Sequence, residues 1–261
     1  MAEGRVGNSD PVPGDGDWLR LPRLEFRRNE LELPIGIAVE QWSECSPPPD
    51  SPIEGRYCRV EPLAVESHCS DLFQAFAEDT EDRIWAYLPY GPFTRERDLA
   101  DWIDAVTAVQ DPKFHAIMDK RSGCAAGVAS YLNITPAAGV IEVGHINFAP
   151  ALQRGRAATE AMYLMMRRAF SELGYRRYEW KCDALNSRSR GAALRLGFSF
   201  EGIFRQATIY KGRNRDTAWY SIIDTEWQER KAAFEAWLDP GNFHEDGSQR
   251  RRLTDFMCRD G

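Results

Sequence analysis

Small residues at the start of a predicted helix are the first sign of chemistry in this chain. Gly155, Ala157 and Ala158 open an amphipathic helix after a loop. Pro150 ends the apolar strand before that loop, because proline has no N–H for a sheet hydrogen bond. The low side-chain bulk leaves the first helical N–H groups accessible, with the positive end of the helix dipole behind them. This arrangement binds phosphate or pyrophosphate.

The elements around this loop alternate between strands and helices. Residues 140–148 form a buried-strand pattern, and the helix after the loop has a methionine-rich apolar face. A second strand is predicted over 176–183. A short helix then begins at the Asn-Ser-Arg-Ser segment 186–189 and stops at Gly197, a residue suited to a left-handed helix end. Residues 198–205 are predicted to form the next strand.

The order of phosphate loop, helix, strand, Asn-x-x-Ser helix, Gly-Phe and strand resembles the GNAT superfamily of acyl-coenzyme A N-acyltransferases, and within it the RimJ/RimL-type branch. The resemblance spans residues 55 to 227. It implies an α/β (α+β) GNAT fold, with a mixed, mostly antiparallel twisted sheet of about seven strands. Helices flank this sheet, which splays at the strand before the phosphate loop. The motifs that carry the resemblance are Glu-Val-Gly-His at Glu142–His145, Ala-Thr-Glu-Ala at Ala158–Ala161, and Lys-Gly-Arg-Asn-Arg-Asp at Lys211–Asp216 before Tyr220-Ser221.

Two positions depart from the family pattern. The family loop is usually Gln/Arg-x-x-Gly-x-Gly/Ala; Gln153 and Ala158 fit it, but Arg156 stands where the first glycine belongs. An arginine cannot relieve close backbone approach as glycine does, yet it can add a charge-assisted contact to a phosphate oxygen. Ala193 holds the register of the tyrosine that many GNAT enzymes use as an acid, and Ser189 matches the serine common in the RimJ/RimL-type branch.

The resemblance implies acetyl-CoA, or another acyl-CoA, as co-substrate, and no metal. Backbone N–H groups near Ile146 to Phe148 are expected to polarise the thioester carbonyl. Ser189 is expected to give a proton to the leaving thiolate, although serine near a helix start commonly caps the helix, and Asn186 has the same alternative. The residues implied to bind the cofactor are Ile146, Asn147, Phe148, Gln153, Arg154, Gly155, Arg156, Ala157, Ala158, Thr159, Asn186 and Ser189.

Glu142 and His145 are the candidates for removing a proton from the acceptor amine, which is mostly protonated at neutral pH. Alternation along the strand places Glu142 on one face with Gly144, and His145 on the other with Asn147. A bulge would change this register. The structural alternatives are that Glu142 pairs with an arginine and that His145 forms a hydrogen bond within the core. The catalytic candidates are therefore Glu142, His145 and Ser189.

An aromatic segment, residues 84–93, falls where this superfamily shapes its acceptor site. Trp85, Tyr87, Tyr90 and Phe93 are the substrate-binding candidates, because aromatic faces suit cationic amines. The alternative is that these rings pack as part of the core or of a lid. The sequence leaves both roles open.

Composition limits the classes of function. A net charge of −7 argues against non-specific nucleic-acid binding and favours cationic partners. No apolar run is long enough to span a bilayer, and the polar N-terminus lacks a signal-peptide core. The six cysteines are scattered without a Cys-x-x-Cys pair, which is typical of reduced thiols. We therefore expect a cytoplasmic protein that binds no metal, nucleic acid or membrane.

Four segments are predicted along the 261 residues. Residues 1–17 are rich in Gly, Pro and Asp and are predicted to be disordered. Residues 18–54 carry too much apolar content to leave in water, so they are expected to pack on the domain, with a proline-rich linker at their end. Residues 55–227 form the acyltransferase domain. Residues 228–261 form a helix and a polar tail with little to bury.

These features predict an N-acetyltransferase that moves an acetyl group from acetyl-CoA to a primary amine by direct attack in a ternary complex. The amine belongs to a small molecule or to a protein N-terminus, and resemblance of fold does not choose between them. A succinyl- or other acyl-CoA N-acyltransferase is the first alternative. A catalytically silent acyl-CoA-binding or interaction protein is the second. A homodimer is left open.

Overall fold

The computed structural model describes Gly7–Asn8 and residues 25–257. The chain divides into two compact units, Met1–Ser43 and Glu44–Gly261. No helix among the described residues combines the length and the apolar content needed to cross a membrane.

The first unit contains a small antiparallel sheet. Strand β1 (Gly7–Asn8) pairs with β2 (Glu25–Arg28), which pairs with β3 (Pro34–Gly36). The Asn29 side chain accepts hydrogen bonds from two backbone N–H groups of the turn between β2 and β3. The segment predicted to be disordered, residues 1–17, lies outside the described residues except for β1, and so do residues 18–24 of the predicted extension.

The second unit is built on one mixed sheet in the order β10-β11-β9-β8-β7-β6-β5-β4. Every neighbouring pair is antiparallel except β8 and β9, which are parallel. This confirms the predicted fold class, with the two-residue edge strand β4 bringing the sheet to eight strands. The strands are β4 (Ile53–Glu54), β5 (Cys58–Pro62), β6 (Lys113–Asp119), β7 (Cys124–Thr135), β8 (Val140–Phe148), β9 (Arg177–Asp183), β10 (Ser199–Tyr210) and β11 (Arg213–Ile223).

Helices cover both faces of this sheet and create two hydrophobic cores. One core lies under α1 and α2, and the other under α3, α4 and α5. The helices are α1 (Val65–Ala77), α2 (Glu96–Thr107), α3 (Arg156–Arg167), α4 (Ser187–Arg195), α5 (Asp224–Leu238) and α6 (Leu253–Met257).

Alternation along β8 assigns its side chains to the two faces. Ile141 and Val143 are buried in the core that contains α3, where the methionines of that helix also lie. Glu142 lies between them in the sequence and therefore projects from the opposite face. This separation decides on which side of the sheet its carboxylate can act.

A buried carboxylate ties α3 to the sheet. Glu160 is 4% exposed, and its two oxygens accept hydrogen bonds of 2.6–2.8 Å from the backbone N–H groups of Arg56, Tyr57 and Cys58. Three such bonds satisfy a charge that would otherwise be costly to bury. They fix the turn between β4 and β5 beside the start of α3.

The segment after α5 corrects the expectation of a tail with little to bury. Asn242, Phe243 and Leu253 are all buried. The Asn242 amide donates to the carbonyl oxygens of Trp237 and Arg251, so the chain folds back along α5. Its polar composition concealed this, because side-chain amides satisfy the backbone here in place of a continuous apolar face.

Candidate active site

An opening between β8 and β9 forms the main cleft of the second unit. Their parallel pairing covers only Val140–Val143 against Arg177–Trp180, and beyond this point the two strands are not registered with each other. A cavity of about 1580 Å³ occupies the opening, and residues from both faces of the sheet line it. The predicted splay therefore creates a passage from the α3 and α4 side to the side that Glu142 faces.

A bulge in β8 lies at the centre of this cleft. Gly144 is registered with Ser130, whereas Asn147 is registered with Val128, so β8 has one residue more than β7 in this interval. His145 has a left-handed backbone with φ of 51°, a conformation that few non-glycine residues adopt. The bulge that the sequence left open is thus present, and it redirects the side chains that follow Gly144.

The predicted phosphate loop leads directly into α3. Gly155 is the N-cap residue, and the first hydrogen bond within the helix runs from the Thr159 N–H to the Gly155 carbonyl. The N–H groups of Arg156, Ala157 and Ala158 are therefore the ones that a helix start leaves for a ligand. All three residues line the cleft. Backbone groups here are suited to an anion.

The loop is braced by its own polar side chains. The Gln153 amide donates to the Phe148 carbonyl over 2.8 Å, which holds the loop against the end of β8. A Cβ atom at Gly155 would lie 3.1 Å from the Leu152 carbonyl oxygen, so the close turn favours glycine at this position. The side-chain nitrogen of Asn147, itself 2% exposed, has no hydrogen-bond partner among the described residues and lies at the cleft. An orphaned donor beside free helical N–H groups fits the polar, anionic chain of an acyl-CoA.

Arg156 lies against two aromatic rings. Its guanidinium carbon lies 4.7 Å from the Tyr57 ring centroid and 4.9 Å from that of Phe243. These are cation–π contacts, and the N–H donors of the guanidinium can still bind a ligand. The C-terminal segment therefore contributes to this end of the cleft, which its residues 246–249 also line. This contribution could not be predicted from the sequence, because Phe243 lies in a polar stretch.

The short helix α4 places a hydroxyl beside β9. The Ser189 Oγ accepts a hydrogen bond of 3.0 Å from the indole N–H of Trp180. The Ser189 backbone N–H donates to the Asn186 side chain, so the capping role foreseen for Asn186 is present. Since the indole donates to Oγ, the hydroxyl hydrogen is left for another acceptor. Both Ser189 and Asn186 line the cleft.

Thr159 and Ala193, two positions compared with the family in the sequence, do not line the cleft. Thr159 is buried, accepts a hydrogen bond from the Arg195 guanidinium, and does not line the cleft. The other eleven cofactor-binding candidates do line it. Ala193 is completely buried in the core, where a tyrosine would not fit without rearrangement.

Glu142 is 4% exposed and lies within an ionic network on the opposite side of the cleft. Its Oε2 accepts hydrogen bonds from Lys181 (2.8 Å) and Asn133 (2.7 Å). Lys181 also contacts Glu179 and lies 3.9 Å from the Trp219 ring centroid. Burial raises the pKa of Glu142, and its hydrogen bonds to Lys181 and Asn133 oppose that rise. The cationic partner is thus a lysine and not the arginine considered from the sequence.

His145 combines a position at the cleft with aromatic packing. Its Nδ1 lies 3.2 Å from the Tyr90 hydroxyl, and its ring centroid is 5.0 Å from that of Phe114. Burial, with a smaller effect from the Arg215 charge, lowers the pKa of His145 to about 4. The imidazole is therefore neutral at physiological pH.

The aromatic segment contributes one of its candidate residues to the cleft wall and packs the other three in the core. Tyr87 lines the cleft, and its hydroxyl donates to the Leu185 carbonyl over 3.4 Å. Trp85, Tyr90 and Phe93 pack against one another, with Trp85 only 5% exposed. Both roles considered from the sequence thus occur within one segment. Leu132, Asp183 and Arg215 also line the cleft, and the sequence pattern singles out none of them; Arg215 belongs to the Lys211–Asp216 motif.

Comparison with known proteins identifies the family of this site. A sequence model described as an acetyltransferase (GNAT) domain matches residues 59–199. The chain belongs to the GNAT acetyltransferase family, whose members use acyl-CoA. The family assignment does not specify a branch, an acceptor or a mechanism.

Solved structures and a curated relative support the same family. A GCN5-related N-acetyltransferase from Brucella melitensis is 44% identical, with a TM-score of 0.82 over 84% of this chain and 99% of its own. A protein described as a probable GNAT-family acetyltransferase from Chromobacterium violaceum ATCC 12472 is 42% identical, with a TM-score of 0.70 over 75% of this chain and 98% of its own. The uncharacterized N-acetyltransferase YnaD of Bacillus subtilis (strain 168) is 27% identical over 59% of this chain and 89% of its own length.

Proposed function

We propose that this protein transfers an acetyl group from acetyl-CoA to the primary amine of an acceptor, by direct attack in a ternary complex. The observation that carries the proposal is the single cleft through the splay. It has free helical N–H groups and Ser189 on one side, and the Glu142 carboxylate and the neutral His145 imidazole on the other.

The reaction assigns a role to each group. The amine nitrogen attacks the thioester carbonyl carbon, and backbone N–H groups at the end of β8 stabilise the oxygen that becomes negative. Glu142 takes the proton that the amine loses, since burial brings the pKa of its carboxyl nearer to neutral pH. The carbon–sulfur bond then breaks, and the sulfur takes a proton from the Ser189 hydroxyl, which water reprotonates.

His145 is the alternative base. It is neutral and lies at the same cleft, but a group with a pKa of about 4 is a weak base at neutral pH. If His145 were the base, the acidic limb of the pH profile would follow its titration near pH 4. Measurement of kcat/KM against pH for Glu142→Gln and His145→Ala separates the two assignments.

The resemblance to the RimJ/RimL-type branch supports a serine acid, and the Trp180–Ser189 hydrogen bond is consistent with it. That branch includes enzymes that modify protein N-termini, while others in the superfamily acetylate small amines. Thiol release from acetyl-CoA, screened against small amines and against peptides with free N-termini, tests the function and identifies the acceptor. Peptides alone should respond if the acceptor is a protein N-terminus.

A longer acyl donor such as succinyl-CoA is the second candidate, because Arg215 lines the cleft. We call the side that Glu142 faces the acceptor side, and the side of α3 and α4 the donor side. Comparison of acetyl- and succinyl-CoA on one acceptor decides between the donors. Acyl-CoA binding without thiol release in any combination would instead favour the catalytically silent module.

A further inference from the structure

The position of Arg215 in the sheet places its side chain on the acceptor side of the cleft. On β11, Thr217 is registered with Asp183 and Trp219 with Lys181. Arg215 precedes these two residues at spacings of two, so it projects from the same face as they do. This is the face on which Lys181 contacts Glu142.

Arg215 has no anionic partner among the described residues. Its guanidinium lines the cleft, and its Nε atom is buried without a hydrogen-bond partner. Other cations of the same face are paired: Arg177 contacts two glutamates, and so does Lys181. A buried N–H donor without an acceptor costs free energy, and at a cleft it indicates a ligand that supplies the acceptor.

Two cations from the same hairpin bind the segment that supplies one wall of the cleft. Lys211 donates to the Trp85 carbonyl over 3.1 Å, and Arg213 donates to the Ala86 carbonyl over 2.8 Å. These bonds hold the wall that contains Tyr87, but a neutral carbonyl leaves each positive charge uncompensated. Two cations are therefore bound to this wall, in a chain whose net charge is −7.

We propose that Arg215 binds a carboxylate of the acceptor, so that the enzyme acetylates amines that also carry a carboxylate, such as α-amino acids. This inference rests on the proposed function and names its substrate class. A guanidinium presents two parallel N–H donors that match the two oxygens of a carboxylate. Bound there, the carboxylate would hold the amine of the same molecule on the side of the splay that Glu142 and His145 line.

A carboxylate can also come from the donor, in the distal acid of a succinyl group. The two possibilities differ in which substrate, the acceptor or the acyl donor, must carry the carboxylate. If the acceptor supplies it, removal of its carboxylate reduces turnover with acetyl-CoA. If the donor supplies it, succinyl-CoA is preferred to acetyl-CoA and the charge of the acceptor is irrelevant.

The test measures kcat/KM with acetyl-CoA for matched acceptors, L-amino acids and their C-terminal amides. The amide lowers the pKa of its own amine and so supplies more neutral nucleophile, which biases the comparison against the proposal. We expect the wild type to prefer the acids by about tenfold or more. Arg215→Gln should bring this ratio close to one, and Arg215→Lys should retain part of it.

Arg205→Gln is the matched control, because Arg205 lies on the same hairpin, is exposed, and does not line the cleft. It removes the same charge and should leave the ratio unchanged. Succinyl- and acetyl-CoA are compared in the same four proteins: wild type, Arg215→Gln, Arg215→Lys and Arg205→Gln.

Turnover without preference for acids, or equal ratios in wild type and Arg215→Gln, would overturn the inference and leave the proposed function standing. A succinyl preference that Arg215→Gln abolishes would assign Arg215 to the donor and also overturn it. Absence of thiol release with every donor and acceptor would overturn the proposed function together with the inference.

Discussion

The two sides of the splay are built in different ways. The donor side comes from short, continuous pieces of chain: the end of β8, the loop and first turn of α3, and the start of α4. The acceptor side is assembled from segments far apart in sequence: residues 86–89, Leu132, Glu142, Lys181 and Arg215.

Their chemistry differs as well. The donor side offers mainly backbone N–H groups and one hydroxyl, whereas the acceptor side offers charged side chains, among them the Glu142–Lys181 pair and Arg215. Backbone groups at a helix start suit a ligand that is shared by a family, because they depend little on side-chain identity. Buried charges suit one particular acceptor, and specificity is therefore expected to lie on that side.

The largest expected effect tests whether the donor side performs chemistry as well as binding. Ser189→Ala should lower kcat by about 100-fold or more, since a positioned acid typically contributes that much. The Kd of acetyl-CoA, measured by calorimetry, should change little, because proton donation matters only as the carbon–sulfur bond breaks. Ser189→Thr keeps a hydroxyl and should retain much of the activity. A defect confined to the Kd would make Ser189 a binding residue.

The next effect belongs to the acceptor side. Glu142→Gln should lower kcat/KM by about 10-fold to 100-fold at neutral pH, because an unassisted amine remains protonated there. The loss should shrink as rising pH supplies neutral amine. Burial raises the pKa of Glu142, so wild-type activity should fall as pH drops through that pKa and the carboxylate gains a proton.

Glu179→Gln is the matched control for Glu142→Gln. Glu179 accepts from the same Lys181 Nζ over 2.8 Å but does not line the cleft. It removes one ion-pair partner of Lys181 and leaves the proposed base in place, so kcat/KM at neutral pH should be retained. The Glu179 charge raises the pKa of Glu142, so the acidic limb of the profile should move to lower pH. A Glu142→Gln profile that runs parallel to that of the wild type would transfer the role of base to His145 or to water.

A smaller effect should be confined to binding on the donor side. Arg156→Ala should weaken acetyl-CoA binding by about tenfold, the size expected for one charge-assisted hydrogen bond. Arg167 at the other end of α3 also contacts an aromatic ring but does not line the cleft. Arg167→Ala is therefore the control, and it should leave the Kd unchanged. Equal Kd values for Arg156→Ala and wild type at moderate salt would show that only backbone groups act there.

The smallest effect concerns the strand that separates the two sides. Trp180→Phe removes the indole donor to Ser189 while keeping a ring against Phe198, so kcat should fall about threefold with little change in the Kd of acetyl-CoA. Combining it with Ser189→Ala should add no further loss, because the indole acts through that hydroxyl. Additive losses would show that Trp180 acts by packing alone.

The donor side could be predicted from the sequence because its signals are local. The proline after β8, the small residues that open α3 and the Asn-x-x-Ser start of α4 each determine structure over a few neighbouring residues. The fold class followed from the order of the same elements and is confirmed. Residue by residue, the roles of this set remain predictions that the measurements above address.

The acceptor side could be predicted only in part, since its geometry depends on long-range contacts. The bulge that sets the direction of His145 needs the register between β8 and β7, which no local pattern encodes. The lysine partner of Glu142 comes from the next strand of the sheet, and its identity emerges only after folding. The buried C-terminal segment was missed for a similar reason, because Phe243 gains its contacts from Tyr57 and Arg156.

The most direct test of the central claim follows both products of one reaction. Purified protein is incubated with acetyl-CoA and an amine panel, while free thiol and acetylated amine are quantified together by absorbance and mass spectrometry. We expect release of coenzyme A in equal amount to an N-acetylated product for at least one amine, with both signals reduced together in Ser189→Ala. Acetyl-CoA that binds but releases no thiol above the buffer rate with any amine would contradict it.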